Sequence, residues 1–181
     1  MKTFISMLRA INVGGQNKIP MPELKRLYEG LSLTNVTTYV QSGNVVFDSI
    51  DREPDGLAAE IQTRIEKVYG SKIFVFVRAV ADFRRILESN PFLMARNEAP
   101  SFLHVTFLSQ TPSQAQWDNL RAPDSTGDEF FSTSQEIYLF CPDGYGRTKL
   151  SNAFFERKLG LPATTRNWNT VQALYKLAVE R

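Results

Sequence analysis

Between residues 2 and 78 the spacing of apolar residues alternates between strand-like and helix-like. The order of those changes constrains the fold more than anything else in the chain. Residues 2–9 alternate as a strand with Phe4, Ile5 and Met7, and a glycine-containing loop follows. Pro20 and Pro22 then suit a helix start, and Met21, Leu24, Leu27, Tyr28 and Leu31 keep the three-and-four spacing of one buried stripe. Two short strands, Val36–Val40 and Val45–Phe47, are joined through Ser42-Gly43-Asn44, whose glycine and asparagine supply the backbone freedom of a hairpin turn. After the polar stretch Asp48–Pro54, the residues Leu57, Ile61, Ile65 and Val68 mark a second amphipathic helix that stops near Gly70. Ile73–Val77 is an apolar strand. The order β-α-β-β-α-β is that of a ferredoxin-like, split βαβ sheet with both helices on one face.

A similar order begins again after a bridge. A helix over Val80–Glu88 stops at Asn90-Pro91, and Leu103, Val105 and Phe107 then alternate with His104 and Thr106 as a half-buried strand. Pro112–Leu120 fits a helix, Glu129–Thr133 and Ile137–Phe140 fit strands, and Leu150, Ala153 and Phe154 open a helix that ends near Gly160. No closing strand is legible. Trp168, Val171, Leu174 and Ala178 give a final amphipathic helix instead. The expectation is an α+β chain of two ferredoxin-like halves in tandem, residues 1–79 and 101–181, linked by a helix and loop over 80–100. The second half ends in a helix and shows no residue-level repeat of the first.

Charge divides along the same chain. Residues 1–28 carry Lys2, Arg9, Lys18, Lys25 and Arg26 against Glu23, and residues 145–169 carry Arg147, Lys149, Arg157, Lys158 and Arg166 against Glu156, a net of +4 in each. Residues 118–136 carry Asp118, Asp124, Asp128, Glu129 and Glu136 against Arg121, a net of −4. With a formal charge of +2 over 181 residues, the chain lacks the strongly basic balance of a dedicated nucleic-acid binder. The apolar stretch near Met1 is too short for a signal segment, no run approaches the length of a membrane helix, and the single Cys141 cannot form an internal disulfide. These features point to the cytoplasm, with no membrane partner.

Three polar segments at helix starts are the places where chemistry could reside. In Arg9-Ala10-Ile11-Asn12-Val13-Gly14-Gly15-Gln16-Asn17-Lys18, adjacent glycines allow backbone N–H groups to converge on an anion, with Arg9 and Lys18 bracketing the loop. Gly144-Tyr145-Gly146-Arg147-Thr148-Lys149 repeats that logic, with Thr148 placed to cap the following helix. Thr164-Thr165-Arg166-Asn167-Trp168-Asn169-Thr170 gathers hydroxyls, amides, a guanidinium and an indole, and Asn167 suits the N-cap. Ser42 and Asn44 of the hairpin turn are secondary candidates. Each segment also has a plain structural reading as a glycine turn or a capped loop.

These segments, with Asn90-Pro91-Phe92, carry a resemblance. Leu8–Gly15, the hairpin Gln41–Phe47, Asn90–Phe92, Gly146–Leu150 and Thr165–Val171 are similar to the successive signatures of the domain of unknown function 1697 family. Ala10 stands where many members have Gly, and Thr148 where many have Ser. The resemblance implies a bacterial-type cytosolic protein with tandem ferredoxin-like architecture. It brings no established activity.

His104 is the only histidine and reads as a polar-face residue of its strand, and Cys141, before Pro142, reads as inert. Metal-ligand spacing is missing, no cofactor is implied, and no catalytic residue stands out, since no sequence pattern marks carboxylates such as Asp82 and Asp143 as paired or buried. The leading expectation is a protein that binds an anionic, phosphorylated small molecule in a cleft between its halves. Arg9, Asn12, Gly14, Gly15, Lys18, Ser42, Asn44, Arg147, Lys149, Arg166, Asn167 and Asn169 are its contacts. A nucleic-acid-binding module, with Phe4 and Phe47 as strand aromatics, ranks below it, and a protein-protein interaction module is the third reading.

Overall fold

The structure, a computed structural model, describes residues 1–15, 17–50, 52–123 and 127–181. Gln16 of the first glycine loop, Asp51 of the polar stretch and Asp124 of the acidic segment lie outside the described residues. Two compact units emerge, Met1–Arg84 with Ala173–Arg181, and Arg85–Gln172.

The first unit contains β1 (Lys2–Leu8), α1 (Met21–Glu29), β2 (Thr34–Tyr39), β3 (Asn44–Ser49), α2 (Pro54–Tyr69) and β4 (Val75–Ala79), followed directly by α3 (Val80–Glu88). Its strands form an antiparallel sheet in the order β2-β3-β1-β4. Strand alternation sends Phe4 and Leu8 of β1 to the side where Leu24, Leu27 and Tyr28 of α1 and Leu57, Ile61 and Ile65 of α2 complete a core. Ser6 shares that side, where the Tyr28 hydroxyl bonds its Oγ at 2.8 Å. The opposite side is buried too, with Ile5, Met7, Val46 and Phe76 each at 2% exposure or less. Residues 173–181 are fastened to this unit by Arg181, whose guanidinium donates to Thr37 Oγ1 at 3.0 Å, Val46 O at 3.2 Å and the Asn35 carbonyl, beside Asp48.

The second unit contains α4 (Pro91–Arg96), β5 (Leu103–Leu108), α5 (Gln114–Asp118), β6 (Glu129–Ser132), β7 (Glu136–Phe140), α6 (Asn152–Leu159) and β8 (Ala163–Asn167). α7 (Trp168–Val179) begins in this unit and ends in the first. The sheet order is β6-β7-β5-β8, and all its pairings are antiparallel.

β8 corrects the sequence reading. The Thr164–Thr170 segment is not simply the start of a helix, because its first half is the closing strand, paired with β5 from His104↔Asn167 to Leu108↔Ala163. Only Ala163 of this strand is apolar, so periodicity could not reveal it, and β-branched Thr164 and Thr165 were the remaining signal. The bridge likewise holds a short helix, α4, whose N-cap Asn90 accepts from Phe92 N at 3.0 Å. Thr148 does not cap α6. Ser151 does, accepting from Phe154 N at 3.2 Å, while the Thr148 hydroxyl donates to Asp128 at 2.7 Å.

The units share register as well as order. Leu8 and Leu108 bond back to Gly43 O and Gln135 O, Arg9 and Ser109 donate to Phe74 O and Pro162 O, and Ile5↔Arg78 corresponds to Val105↔Arg166. Both arginines are buried two residues before a helix, and each Nη1 donates to the carbonyl of the residue before it, Val77 O at 3.0 Å and Thr165 O at 2.9 Å.

Candidate functional site

The first glycine loop is the most heavily shaped segment of the first unit. Ala10, Asn12, Gly14, Gly15 and Asn17 all take positive φ, three of them without being glycine. Asn12 makes this conformation hold. Its Oδ1 accepts from Ile19 N at 2.8 Å, and its Nδ2 donates to Ile19 O at 3.0 Å and to Gln41 O at 2.9 Å. One amide thus closes residues 12–19 like a strand pair and ties the loop to the β2–β3 hairpin. Asn12 N to Asn17 O at 3.2 Å and Asn17 Nδ2 to Ala10 O at 3.2 Å complete the closure.

The hairpin is built to receive that loop. Gly43 has φ +74°, and a Cβ there would sit 2.8 Å from both Ile11 Cδ1 and Leu8 Cβ, so the loop rests on bare backbone. Asn44 is fully buried, with Nδ2 donating to Ser42 Oγ at 2.9 Å, and Val40 takes a left-handed φ of 49° that is unusual for a β-branched residue. Sustained strain of this kind marks segments whose shape matters.

Between loop, hairpin and α1 lies a cleft of about 510 Å³. Asn12, Gly15, Lys18 and Gln41 give it a polar side, and Ile19, Pro20, Met21 and Pro22 an apolar one. The expected helix-terminus contribution is small here. Pro20 and Pro22 have no N–H to offer, and Glu23 occupies the first turn of α1. Positive charge at the cleft therefore comes from exposed Lys18, with half-buried Arg9 at the start of the loop. Gln41, Ile19 and the three residues after it were missed as cleft residues because in sequence they read as turn and helix start.

In the second unit the candidates are arranged differently. Gly144 N–H bonds Cys141 O and Arg147 N–H bonds Gly144 O, so the loop spends these N–H groups on its own turns. Arg147 and Lys149 are exposed. Arg166 is 9% exposed, donates to Thr164 Oγ1 at 2.8 Å, and has its pKa brought down to about 10 by burial, with the nearby Tyr145 acting the other way. Asn167 caps α7, accepting from Thr170 N at 2.8 Å, while Asn169 is exposed on the first turn.

The sheet of this unit holds a feature that sequence reasoning missed. His104 is 8% exposed rather than half-open, and its ring stacks on Tyr145 at 4.8 Å between centroids. Among the described residues its Nδ1 is buried without a partner at hydrogen-bond geometry, and burial lowers the imidazole pKa, opposed by the Phe102 backbone. Beside it Thr165 Oγ1 donates to Asn152 Oδ1 at 2.6 Å. The 2.8 Å contact with Thr106 Oγ1 must then be donated by Thr106. Cys141 is buried, and that burial pushes its thiol up to about 11, which suits an inert residue. Among the described residues no three His, Cys, Asp or Glu side chains are grouped to hold a metal, and no helix is long and apolar enough to cross a membrane.

Fold and site together define an α+β chain of two four-stranded antiparallel units, one of which carries a shaped, cation-bearing cleft. The chain belongs to the family described as protein of unknown function (DUF1697), whose model matches residues 1–138. The match ends in β7, so Arg147, Lys149, Arg166, Asn167 and Asn169 lie beyond it. Among solved structures the chain is similar to that of a conserved bacterial protein, SP0830 from Streptococcus pneumoniae, at 23% identity and a TM-score of 0.65. The alignment covers 98% of each chain. That likeness concerns the fold. No curated protein matches the chain.

Proposed function

We propose that the protein binds a small anionic molecule, carrying a phosphate or carboxylate, in the cleft of the first unit. The observation that carries this reading is the cleft itself, in which Lys18 and Gly15 stand on a loop whose left-handed backbone is held by the Asn12 amide. The second unit's Arg147, Lys149, Arg166, Asn167 and Asn169 take no part in this proposal: the Arg166 guanidinium and the Asn167 carbonyl have internal duties, and none of the five is among the residues lining this cleft. Calorimetric titration with small organic phosphates and carboxylates tests it. Lys18→Ala is expected to weaken the best binder about tenfold, the value of one charge-assisted hydrogen bond, while Lys149→Ala leaves it unchanged. Equal affinity in the parent and Lys18→Ala would contradict the proposal.

The nucleic-acid reading loses its support in the first unit. Phe4 and Phe47 stack on each other at 5.8 Å inside the helix-side core, and the other face of the central strands is buried, so the sheet offers no platform for bases. We further read the halves 1–79 and 101–181 as ferredoxin-like, joined by a link over 80–100, in a cytoplasmic protein. The antiparallel order β2-β3-β1-β4, its repetition in β6-β7-β5-β8, and a single buried thiol support that reading.

A further inference from the structure

We infer that the molecule bound in the first unit is an amphipathic anion: a charged group beside Lys18 joined to an apolar, ring-sized body lying on Pro20, Met21 and Pro22, with buried Ile19 behind them. This rests on the reading of the cleft as an anion site and adds the class of ligand. Volume is the first reason. About 510 Å³ is far larger than a phosphate or carboxylate group requires, and lies in the range of pockets that enclose drug-sized ligands. Lining chemistry is the second. Lys18 is the only charged side chain among the described residues lining the cleft, so a polyanion would leave most of its charge without a cation. A sugar body would set hydroxyls against two prolines and a methionine, which offer only a weak thioether acceptor to replace lost water.

The rigidity of that apolar side is the third reason. Pro20 and Pro22 fix φ at the start of α1, Ile19 is 1% exposed, and Ile19 N and O are both held by Asn12. An apolar body therefore meets a preformed surface and orders little protein on binding. Exposed apolar residues stand on the two loops that frame the cleft, Val13 at 65% and Val40 at 54%.

The experiment is a calorimetric comparison of phenyl phosphate, ribose 5-phosphate and inorganic phosphate on the full chain. Phenyl phosphate is expected to bind at least tenfold tighter than either of the others, and Met21→Ser to reduce that advantage while changing the ribose 5-phosphate affinity less than twofold. If phenyl phosphate and ribose 5-phosphate bind equally well, the apolar body is wrong and the anion site stands. If none of the three binds, both readings fail.

Discussion

The two units share one register and differ in what is attached to it. In the first, residues 9–20 separate β1 from α1; in the second, only residues 109–113 separate β5 from α5. The longer connection holds the left-handed backbone, the Asn12 pin and the cleft, whereas the shorter leads straight into the capping box of Ser113 and Gln116. On the sheets the contrast reverses. Phe4 of the first unit and His104 of the second occupy the same register position, so a phenyl ring in a core that also holds the Ser6 and Tyr28 hydroxyls has as its counterpart an imidazole stacked on the Tyr145 phenol, in a unit with two paired threonine hydroxyls. A shared scaffold can thus place its polar chemistry in a loop or in the sheet, and in the first unit the loop lines a cleft that a ligand could occupy.

The hairpin glycine gives the sharpest test of this contrast. Gly43→Ala must place a Cβ against Ile11 and Leu8 at positive φ, and is expected to destabilise the chain by about 3 kcal/mol in chemical denaturation. Gly144→Ala, also at positive φ but with open space around it, should cost only about 1 kcal/mol. Equal losses would mean that the loop does not rest on the hairpin as described.

A smaller difference is expected between two asparagines. Asn12→Ala removes three hydrogen bonds and leaves Ile19 and Gln41 backbone groups without their partner, a loss of about 2 kcal/mol. Asn167→Ala removes one capping bond, a loss of about 1 kcal/mol. Matching losses would reduce Asn12 to an ordinary turn residue.

The first unit was largely legible because its strands and helices are apolar at their own periods, as in Leu57, Ile61 and Ile65 of α2. β8 was not, since Thr164, Thr165, Arg166 and Asn167 become a strand through pairing with β5, a tertiary fact that local pattern does not carry. The repeat was hidden for a related reason: register is conserved while side chains are exchanged, with Leu8/Leu108 and Arg78/Arg166 among the few positions kept. In the cleft, the paired glycines and Lys18 marked the loop, but the wall from Ile19 to Pro22 looked only like a helix start. The His104–Tyr145 stack joins residues 41 positions apart, and nothing in their local sequence links them.

The imidazole supplies a test confined to the second unit. Burial lowers the folded-state pKa of His104 below the usual 6.5, so the unfolded chain takes up the proton first as pH falls. Its contribution to stability is full above that unfolded value and is lost as pH drops from about 6.5 toward the folded value, with a slope of at most about 1.4 kcal/mol per pH unit. His104→Phe, which gives this position the first unit's residue, should remove that slope from the difference between its denaturation profile and the parent's. Identical slopes between pH 7 and 5 would show that the imidazole titrates alike in both states.

The proposal that the ligand sits in the first unit is tested most directly by backbone amide NMR of the full chain during titration with phenyl phosphate. Saturable shifts concentrated in residues 12–22 and 39–43, and absent from 144–152, are the predicted result. Shifts concentrated in 144–152 and 164–170 instead would contradict it.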